Sequence, residues 1–311
     1  MSGAFSPSAG RAKRVPKREP RGWGPAALSE ELAGLAAHEC RDCHGSVEPE
    51  LVTIYPASEV CLDCMPRLEL QKLQQELNQV QVLDRAALPE PPRLPGWEVG
   101  LHYRPSRILS GDFYDLRREE NGQRLSLLLG DVMGKGIPAA LLRTGLQGAL
   151  RALAAEVDSP ARVLEKTNRY FLASASPGRL ASVFYGTLDL EGGTLRYANA
   201  GHLPPLVRKP NGVWRTLETT GMVLGALDRV AYGEKTVAID PGALFVLYSD
   251  GITEAENESG DFFEESRMTS VIEDLLDSPM QAVASAIADE LARFAPGEPS
   301  DDRTLVMVRR G

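Results

Sequence analysis

The chain has 311 residues, 43% of them hydrophobic, and carries 43 acidic against 34 basic side chains for a formal net charge of −9. This length can bury one sizeable core plus a small additional module. The acidic balance argues against nucleic acid as the principal partner, and no apolar stretch is long enough to predict a membrane span.

Residues 1–30 are rich in proline, glycine and serine, a composition that predicts a disordered tail. Its basic side chains are Arg11, Lys13, Arg14, Lys17, Arg18 and Arg21. One nearby acid, Glu19, and one aromatic residue, Trp23, favour a solubilising role over binding of nucleic acid or anionic lipid. Residues 1–23 contain no apolar core of the kind a secretory signal requires, so we expect a cytoplasmic location.

Four cysteines follow as two pairs, Cys40-x-x-Cys43 and Cys61-x-x-Cys64, with 17 residues between the pairs. This spacing predicts a structural zinc site with four thiolate ligands in a small finger at residues 31–67. Two disulfides are the competing interpretation, but they would need an oxidising compartment. The segment also resembles the carboxy-terminal zinc finger of the DksA/TraR family, through its two cysteine pairs and Pro56. The helical hairpin that reaches into RNA polymerase in that family is missing here, so the resemblance does not extend to a transcription role.

Residues 68–94 predict a linker. Apolar side chains recur at helical spacing, namely Leu70, Leu73, Leu77 and Val80. They form a seam of about two heptads, whereas a coiled coil needs three or four, so packing against the chain's own domains and dimerisation both remain open. A proline-rich run at 88–95 ends the helix and marks a domain boundary before Trp97.

The remainder, residues 95–311, alternates between strand and helix patterns. Short apolar or alternating runs predict strands at residues 97–103, 124–129, 182–188, 194–198, 235–239, 243–248 and 304–308. Helices are predicted after Pro138, Ser159-Pro160 and Ser278-Pro279, where a first-turn proline or a polar cap begins an apolar helical repeat.

Aspartates stand beside several of these strands. Asp131 and Asp250 each follow an apolar run, the pair Asp301-Asp302 precedes one, and Asp112 lies in a Gly-Asp-Phe-Tyr-Asp sequence. Neighbouring strands can bring their ends together, and the resulting cluster of carboxylates would require a cation such as Mg²⁺ or Mn²⁺, which prefers oxygen ligands. Each motif taken singly favours an ordinary turn, because Asp and Gly are turn formers.

Six motifs occur in the order found in the PPM-type metal-dependent protein phosphatases, and residues 95–310 resemble the SpoIIE/RsbU branch of that family. The motifs are Ser110–Asp115, Gly130–Leu142, Asn199–His202, Gly221–Gly225, Leu247–Ala255 and Asp301–Leu305. The resemblance implies an α+β fold, a central β-sandwich flanked by helices, with a two-metal site at one edge.

The resemblance also implies roles for individual residues. Asp131 bridges two Mn²⁺ or Mg²⁺ ions, the carbonyl of Val132 adds a backbone ligand, and Asp250 and Asp301 complete the shell of one ion. Asp112 holds the second ion, directly or through water.

Three neighbouring positions need comment. Gly111 stands where the eukaryotic branch has an acidic residue. The choice of Asp301 over Asp302 rests on alignment with an Asp-Asn-x-Thr pattern and leaves Asp302 open. Asp115 and His202 are expected to be structural, with a general-acid role as the alternative for His202.

These features predict a protein serine/threonine phosphatase in which a metal-activated water attacks the phosphate without a cysteine nucleophile, since all four cysteines precede residue 65. By resemblance, the substrate is a phosphorylated anti-sigma-factor antagonist of the STAS type, and the linker helix supports a homodimer. The alternatives are a non-catalytic scaffold that binds regulatory partners and a phosphatase for small phosphoesters.

Overall fold

A computed structural model of the chain describes residues 67–119, 122–175 and 178–311. The predicted basic tail and the predicted zinc ligands Cys40, Cys43, Cys61 and Cys64 lie outside the described residues and stay predictions. None of the helices in the described part has the length and apolar character that a membrane span requires.

The described residues form ten strands and six helices. In chain order they are α1 (Arg67–Ala86), β1 (Trp97–Arg104), β2 (Asp112–Arg118), β3 (Arg124–Val132), α2 (Ile137–Glu156), α3 (Pro160–Ser174), β4 (Ala181–Asp189), β5 (Thr194–Ala200), β6 (Leu206–Arg208), β7 (Trp214–Thr216), β8 (Lys235–Ala238), β9 (Leu244–Tyr248), α4 (Asp250–Thr253), α5 (Glu264–Asp274), α6 (Met280–Phe294) and β10 (Arg303–Arg310).

The strands form two antiparallel sheets, with strand orders β1-β10-β9-β6-β7 and β2-β3-β4-β5-β8. Strand β3 shows how they are layered. Leu127 and Leu129 pack into the core between the sheets, while Leu128 packs toward α2 and α3 on the outer face. Because successive side chains of a strand point to opposite faces, a sheet covered on both sides needs a continuous apolar run. Helices α5 and α6 cover the other sheet in the same way, so the predicted β-sandwich flanked by helices is confirmed.

All seven predicted strands are present, with bounds that differ by a few residues. Three strands were not predicted: β2, β6 and β7. The helix after Ser159-Pro160 begins as expected, with the Ser159 hydroxyl accepting a hydrogen bond from the amide of Arg162. The helix start predicted at Ser278-Pro279 is corrected by one position, because α6 begins at Met280 and Pro279 is its N-cap residue, with no side-chain cap.

Helix α1 contacts the sandwich near its C-terminal end. Leu73 is buried, whereas Val80, Val82 and Leu83 are exposed. Near its end, Asp84 forms an ion pair with Arg143 of α2, whose side chain is fully buried. The linker helix therefore contacts the chain's own domain, and dimerisation stays a prediction.

Candidate active site

The predicted site lies at the end of the sandwich where both sheets bring aspartates together. In one sheet, Asp112 at the start of β2 pairs with Asp131 near the end of β3. In the other sheet, Asp250 follows β9 and Asp301 precedes β10. The hydroxyl of Thr304 in β10 donates a 2.6 Å hydrogen bond to Oδ2 of Asp112, which joins the two sheets at this end.

Gly111 makes the close approach of β2 and β3 possible. A Cβ at this position would lie 2.8 Å from the carbonyl oxygen of Val132 and 3.0 Å from Oδ1 of Asp131. Contacts this short are not tolerated without backbone movement. A side chain at position 111 would therefore push β2 and β3 apart beside Asp131.

Gly251 likewise permits a close backbone approach, here beside Asp250. A Cβ at Gly251 would lie 2.2 Å from the carbonyl oxygen of Asp302. The backbone after β9 thus touches the backbone before β10, which places Asp250 beside Asp301. The hydroxyl of Ser249 strengthens this contact, since it donates to the carbonyl of Asp302 and accepts from the amide of Thr304.

Asp302 holds the loop that precedes Asp112 in place. Its buried carboxylate accepts hydrogen bonds from the amide (2.7 Å) and hydroxyl (2.9 Å) of Ser106, the hydroxyl of Ser110 (2.6 Å) and the amide of Gly111 (2.8 Å). Four donors leave this carboxylate little capacity for a further ligand.

Asp301 is in a different situation. Its side chain is 45% exposed and forms an ion pair of 3.0 Å with Nζ of Lys135, which also donates to the carbonyl of Ser300. The other oxygen of the Asp301 carboxylate, Oδ1, accepts a 2.9 Å hydrogen bond from the amide of Asp302. A half-exposed carboxylate whose cationic partner is a surface lysine is available to exchange that lysine for another cation.

A cleft of about 390 Å³ opens at this end of the sandwich. Its lining includes Asp131, Ser182, His202, Ser249, Asp250 and Glu254. Two of the predicted ligands therefore face a cavity large enough for a phosphate group and part of the residue that carries it.

Residues 121–311 match the protein family described as Stage II sporulation protein E (SpoIIE). The chain belongs to the SpoIIE family. The matched region contains Asp131, Asp250 and Asp301, while Asp112 lies ahead of it.

Among related proteins, the chain is 29% identical over 214 residues to phosphoserine phosphatase RsbU of Bacillus subtilis (strain 168), covering 68% of this chain and 63% of RsbU. It therefore spans less than two thirds of the length of that relative. The structure of the RsbU and RsbW domains of Rv1364c from Mycobacterium tuberculosis superimposes with a TM-score of 0.63 at 25% identity, over 72% of this chain and 62% of the other. The SiaA-PP2C domain of Pseudomonas aeruginosa shares the fold with a TM-score of 0.68 at 22% identity, over 78% and 98% of the two chains.

The carboxylate side chains among the predicted metal ligands of this SpoIIE-family chain are negatively charged and repel one another. Burial raises the pKa of Asp131 to about 7, and the negative charges of Asp250 and Asp301 add to the rise. Burial, with the charge of Asp131, raises the pKa of Asp112 well above its usual range, and burial with the charge of Asp301 raises that of Asp250. A cation bound among these groups would remove the repulsion.

The donor chemistry fits Mg²⁺ or Mn²⁺, because every predicted ligand supplies oxygen. The geometry is not assembled in advance: within residues 67–119, 122–175 and 178–311, no three His, Cys, Asp or Glu side chains converge into a ready-made metal site. The ion pair between Asp301 and Lys135 is one reason, since it engages that carboxylate elsewhere.

His202 is buried beside the cleft. Its Nδ1 lies 2.9 Å from the hydroxyl of Ser182, and Asn199 holds its backbone amide and carbonyl in a tight turn. Burial lowers the pKa of His202 to about 4, so the ring is neutral near pH 7 and is not a ready proton donor. The structural role expected for it is supported by this packing.

Asp115 also has a structural contact, though in strand β2 rather than in a turn. Its Oδ2 accepts a 2.8 Å hydrogen bond from Nε of Arg151 in α2, and Arg151 in turn donates to the carbonyl of Ala87 after α1. The sequence offered no signal for Arg151 or for Ser182, since neither belongs to a motif with recognisable chemistry.

Proposed function

We propose that this chain is a metal-dependent phosphatase that removes phosphate from a serine or threonine of a protein in the cytoplasm. The observation that carries the proposal is the meeting of Asp131 and Asp250 at one cleft, with Asp301 close enough for its negative charge to act on both. Such an arrangement is unfavourable in the absence of a cation and suits a site that binds one. The name of the relative RsbU, a phosphoserine phosphatase, supports the same reaction.

In this proposal two Mn²⁺ or Mg²⁺ ions would be held at the aspartate cluster. Asp131 would serve both ions. Asp250 and Asp301 would add ligands to one of them, the backbone carbonyl of Val132 would add an oxygen ligand, and Asp112 would serve the second ion. When bound, such ions supply an acidified water and positive charge that neutralises the phosphate oxygens. Asp301 would have to give up its ion pair with Lys135 to bind a metal ion, and the Lys135 ammonium would then be available to attract the phosphate by its charge.

The rest of the site orients these groups. Asp302 fixes the loop that precedes Asp112, and Thr304 holds the Asp112 carboxylate from the opposite sheet. Ser182 presents a hydroxyl to the cleft while His202, neutral at pH 7, holds it from behind. A phosphoserine that enters the cleft would thus meet carboxylates whose positions are fixed from both sheets and which could bind it only through the cations they hold.

We infer that the substrate is a phosphorylated STAS-type antagonist of an anti-sigma factor, as the family resemblance implies. The similarity to RsbU, and to a structure that holds an RsbU domain together with an RsbW domain, supports this substrate class.

Hydrolysis of a phosphoserine peptide, with and without manganese and with a chelator control, tests the activity. We expect release of phosphate only with manganese, and a loss of more than about a hundredfold in kcat/KM in Asp131→Asn, because a direct ligand costs more than a supporting residue. The exposed Asp228 provides the matched control, and Asp228→Asn should behave like the wild type.

Isothermal titration with manganese gives a readout that does not depend on turnover. Asp131→Asn should bind the metal weakly, and Asp228→Asn should bind it normally. Tight manganese binding without hydrolysis would favour a latent enzyme, whereas neither binding nor hydrolysis by the wild type would favour the scaffold function instead.

A further inference from the structure

A second cavity, of about 500 Å³, lies next to the active-site cleft. The two share Leu203, Pro204 and Glu254 as lining residues, so they lie side by side. A polypeptide whose phosphoserine occupies the cleft would therefore pass over the second cavity with a neighbouring residue, since an extended chain advances only about 3.3 Å per residue. We call this second cavity the side pocket.

The walls of the side pocket are largely apolar. They include Leu203, Pro204, the ring of Tyr248 and the ring of Phe262, which is 51% exposed. The position of the Tyr248 ring is fixed, because its hydroxyl donates a 2.8 Å hydrogen bond to Oε2 of Glu265. An aliphatic stem can be desolvated against such walls.

The polar part of the side pocket carries negative charge. Three glutamates line it, Glu254, Glu264 and Glu265, and no Lys or Arg appears among the described residues that form its walls. Glu254 and Glu264 are exposed. An apolar wall with a carboxylate rim is complementary to a side chain that has an aliphatic stem and a cationic tip.

We propose that the side pocket binds a lysine or arginine side chain of the phosphoprotein substrate, close in sequence to its phosphoserine. This rests on the proposed phosphatase function and adds a charge preference to it. Glu264 and Glu254 attract the cationic tip, while Phe262, Leu203 and Pro204 cover the stem. The acidic side pocket therefore selects against substrates with an acidic residue at the same place.

Phosphoserine peptides of neutral background test this directly. One set carries a single lysine at each of the three positions before and after the phosphoserine, and a matched set carries norleucine, which has an aliphatic stem without the charge. At one position we expect kcat/KM for lysine to exceed that for norleucine by about fivefold, the effect of a partly exposed ion pair, and to decline with added salt.

Variants then locate the effect. Glu264→Gln should reduce the preference for lysine, and Glu264→Lys should abolish it, because the introduced ammonium offsets one of the two remaining glutamates. Phe262→Ala should weaken the lysine and norleucine peptides alike. Glu258→Gln, an exposed neighbour on the preceding loop, is the control and should leave the preference unchanged. Hydrolysis of p-nitrophenyl phosphate reports the basal activity, which none of the four variants should change.

Binding measured without turnover separates this proposal from the proposed activity. In a chelator, unphosphorylated lysine and norleucine peptides are titrated into ¹⁵N-labelled protein, and the amides of Phe262 and Glu264 are followed. Lysine-selective shifts there would support the side pocket even if no phosphatase activity were found. Equal response to both peptides, or equal kcat/KM for both in an active enzyme, would overturn the proposal.

Discussion

The ion pair between Asp84 of the linker helix and Arg143 of α2 gives the most demanding test of how α1 is attached. The Arg143 side chain is 0% exposed and that of Asp84 is 7% exposed, so water screens the pair very little. Removing one partner of a buried pair leaves the other charge uncompensated, which costs about 3–5 kcal/mol. We therefore expect Asp84→Leu to lower the free energy of unfolding by that amount.

Replacing both partners of this ion pair should change the free energy of unfolding much less than replacing one. The pKa of Asp84 is raised, because the cost of its burial outweighs the attraction of Arg143. The ionised carboxylate is thus less stable in the protein than in water, even beside Arg143. Replacing both residues by apolar ones, Asp84→Leu with Arg143→Met, should return most of the lost stability and leave a net change within about 2 kcal/mol.

Urea unfolding of the wild type, the two single variants and the double variant, in chelator at pH 7.5, gives the coupling free energy. We expect a coupling of at least about 2 kcal/mol. A loss below about 1 kcal/mol in Asp84→Leu would refute the reasoning, because it would mean that α1 leaves the domain easily and that water reaches Arg143.

Three further predictions concern the site itself. Asp302→Asn should lower the free energy of unfolding by about 2–4 kcal/mol, because it places an amide NH₂ among four hydrogen-bond donors. Asp301→Asn should lower it by less than about 1 kcal/mol but should weaken manganese binding. The reverse pattern would exchange the two roles. Gly251→Ala should cost about 3 kcal/mol in urea unfolding, since its Cβ would lie 2.2 Å from a backbone oxygen, and a neutral result would contradict that close approach. His202 has a pKa lowered to about 4, so its contribution to stability is present above pH 6.5 and is lost as the pH falls toward 4. Between pH 7.5 and pH 5 the wild type should lose about 2 kcal/mol more than His202→Gln, and equal losses would contradict the burial of a neutral ring.

The sequence predicted most of the sandwich because its strands are buried on both faces or alternate cleanly. Strand β2 was missed, since the motif Gly111 to Asp115, which contains its first residues, reads as a turn. The short strands β6 and β7 carry too few residues to show a period. The family motifs predicted that Asp131, Asp250 and Asp301 would belong together, and the structure brings them to one end of the sandwich.

Sequence alone could not separate Asp301 from Asp302. The two are adjacent and chemically identical, and their difference arises from partners about 190 residues away in the chain: Ser106, Ser110 and Gly111 engage one carboxylate, while the other stays exposed. The role of Gly111 was equally hidden. A side chain at this position would collide with the carbonyl of Val132. The two groups come close only once β2 and β3 have paired, so the sequence alone could not show the collision.

The contacts of Asp112 show how far the site extends beyond its carboxylates. The Asp112 carboxylate accepts from Thr304 of the opposite sheet, its amide is bound by the Ser110 hydroxyl, and its carbonyl accepts from Nη1 of Arg143 at 3.3 Å. Because Arg143 is also the partner of Asp84, a single guanidinium joins the end of the linker helix to the backbone of a predicted metal ligand. A change at Asp84 should therefore weaken manganese binding as well as the fold, although Asp84 contributes no atom to the cleft.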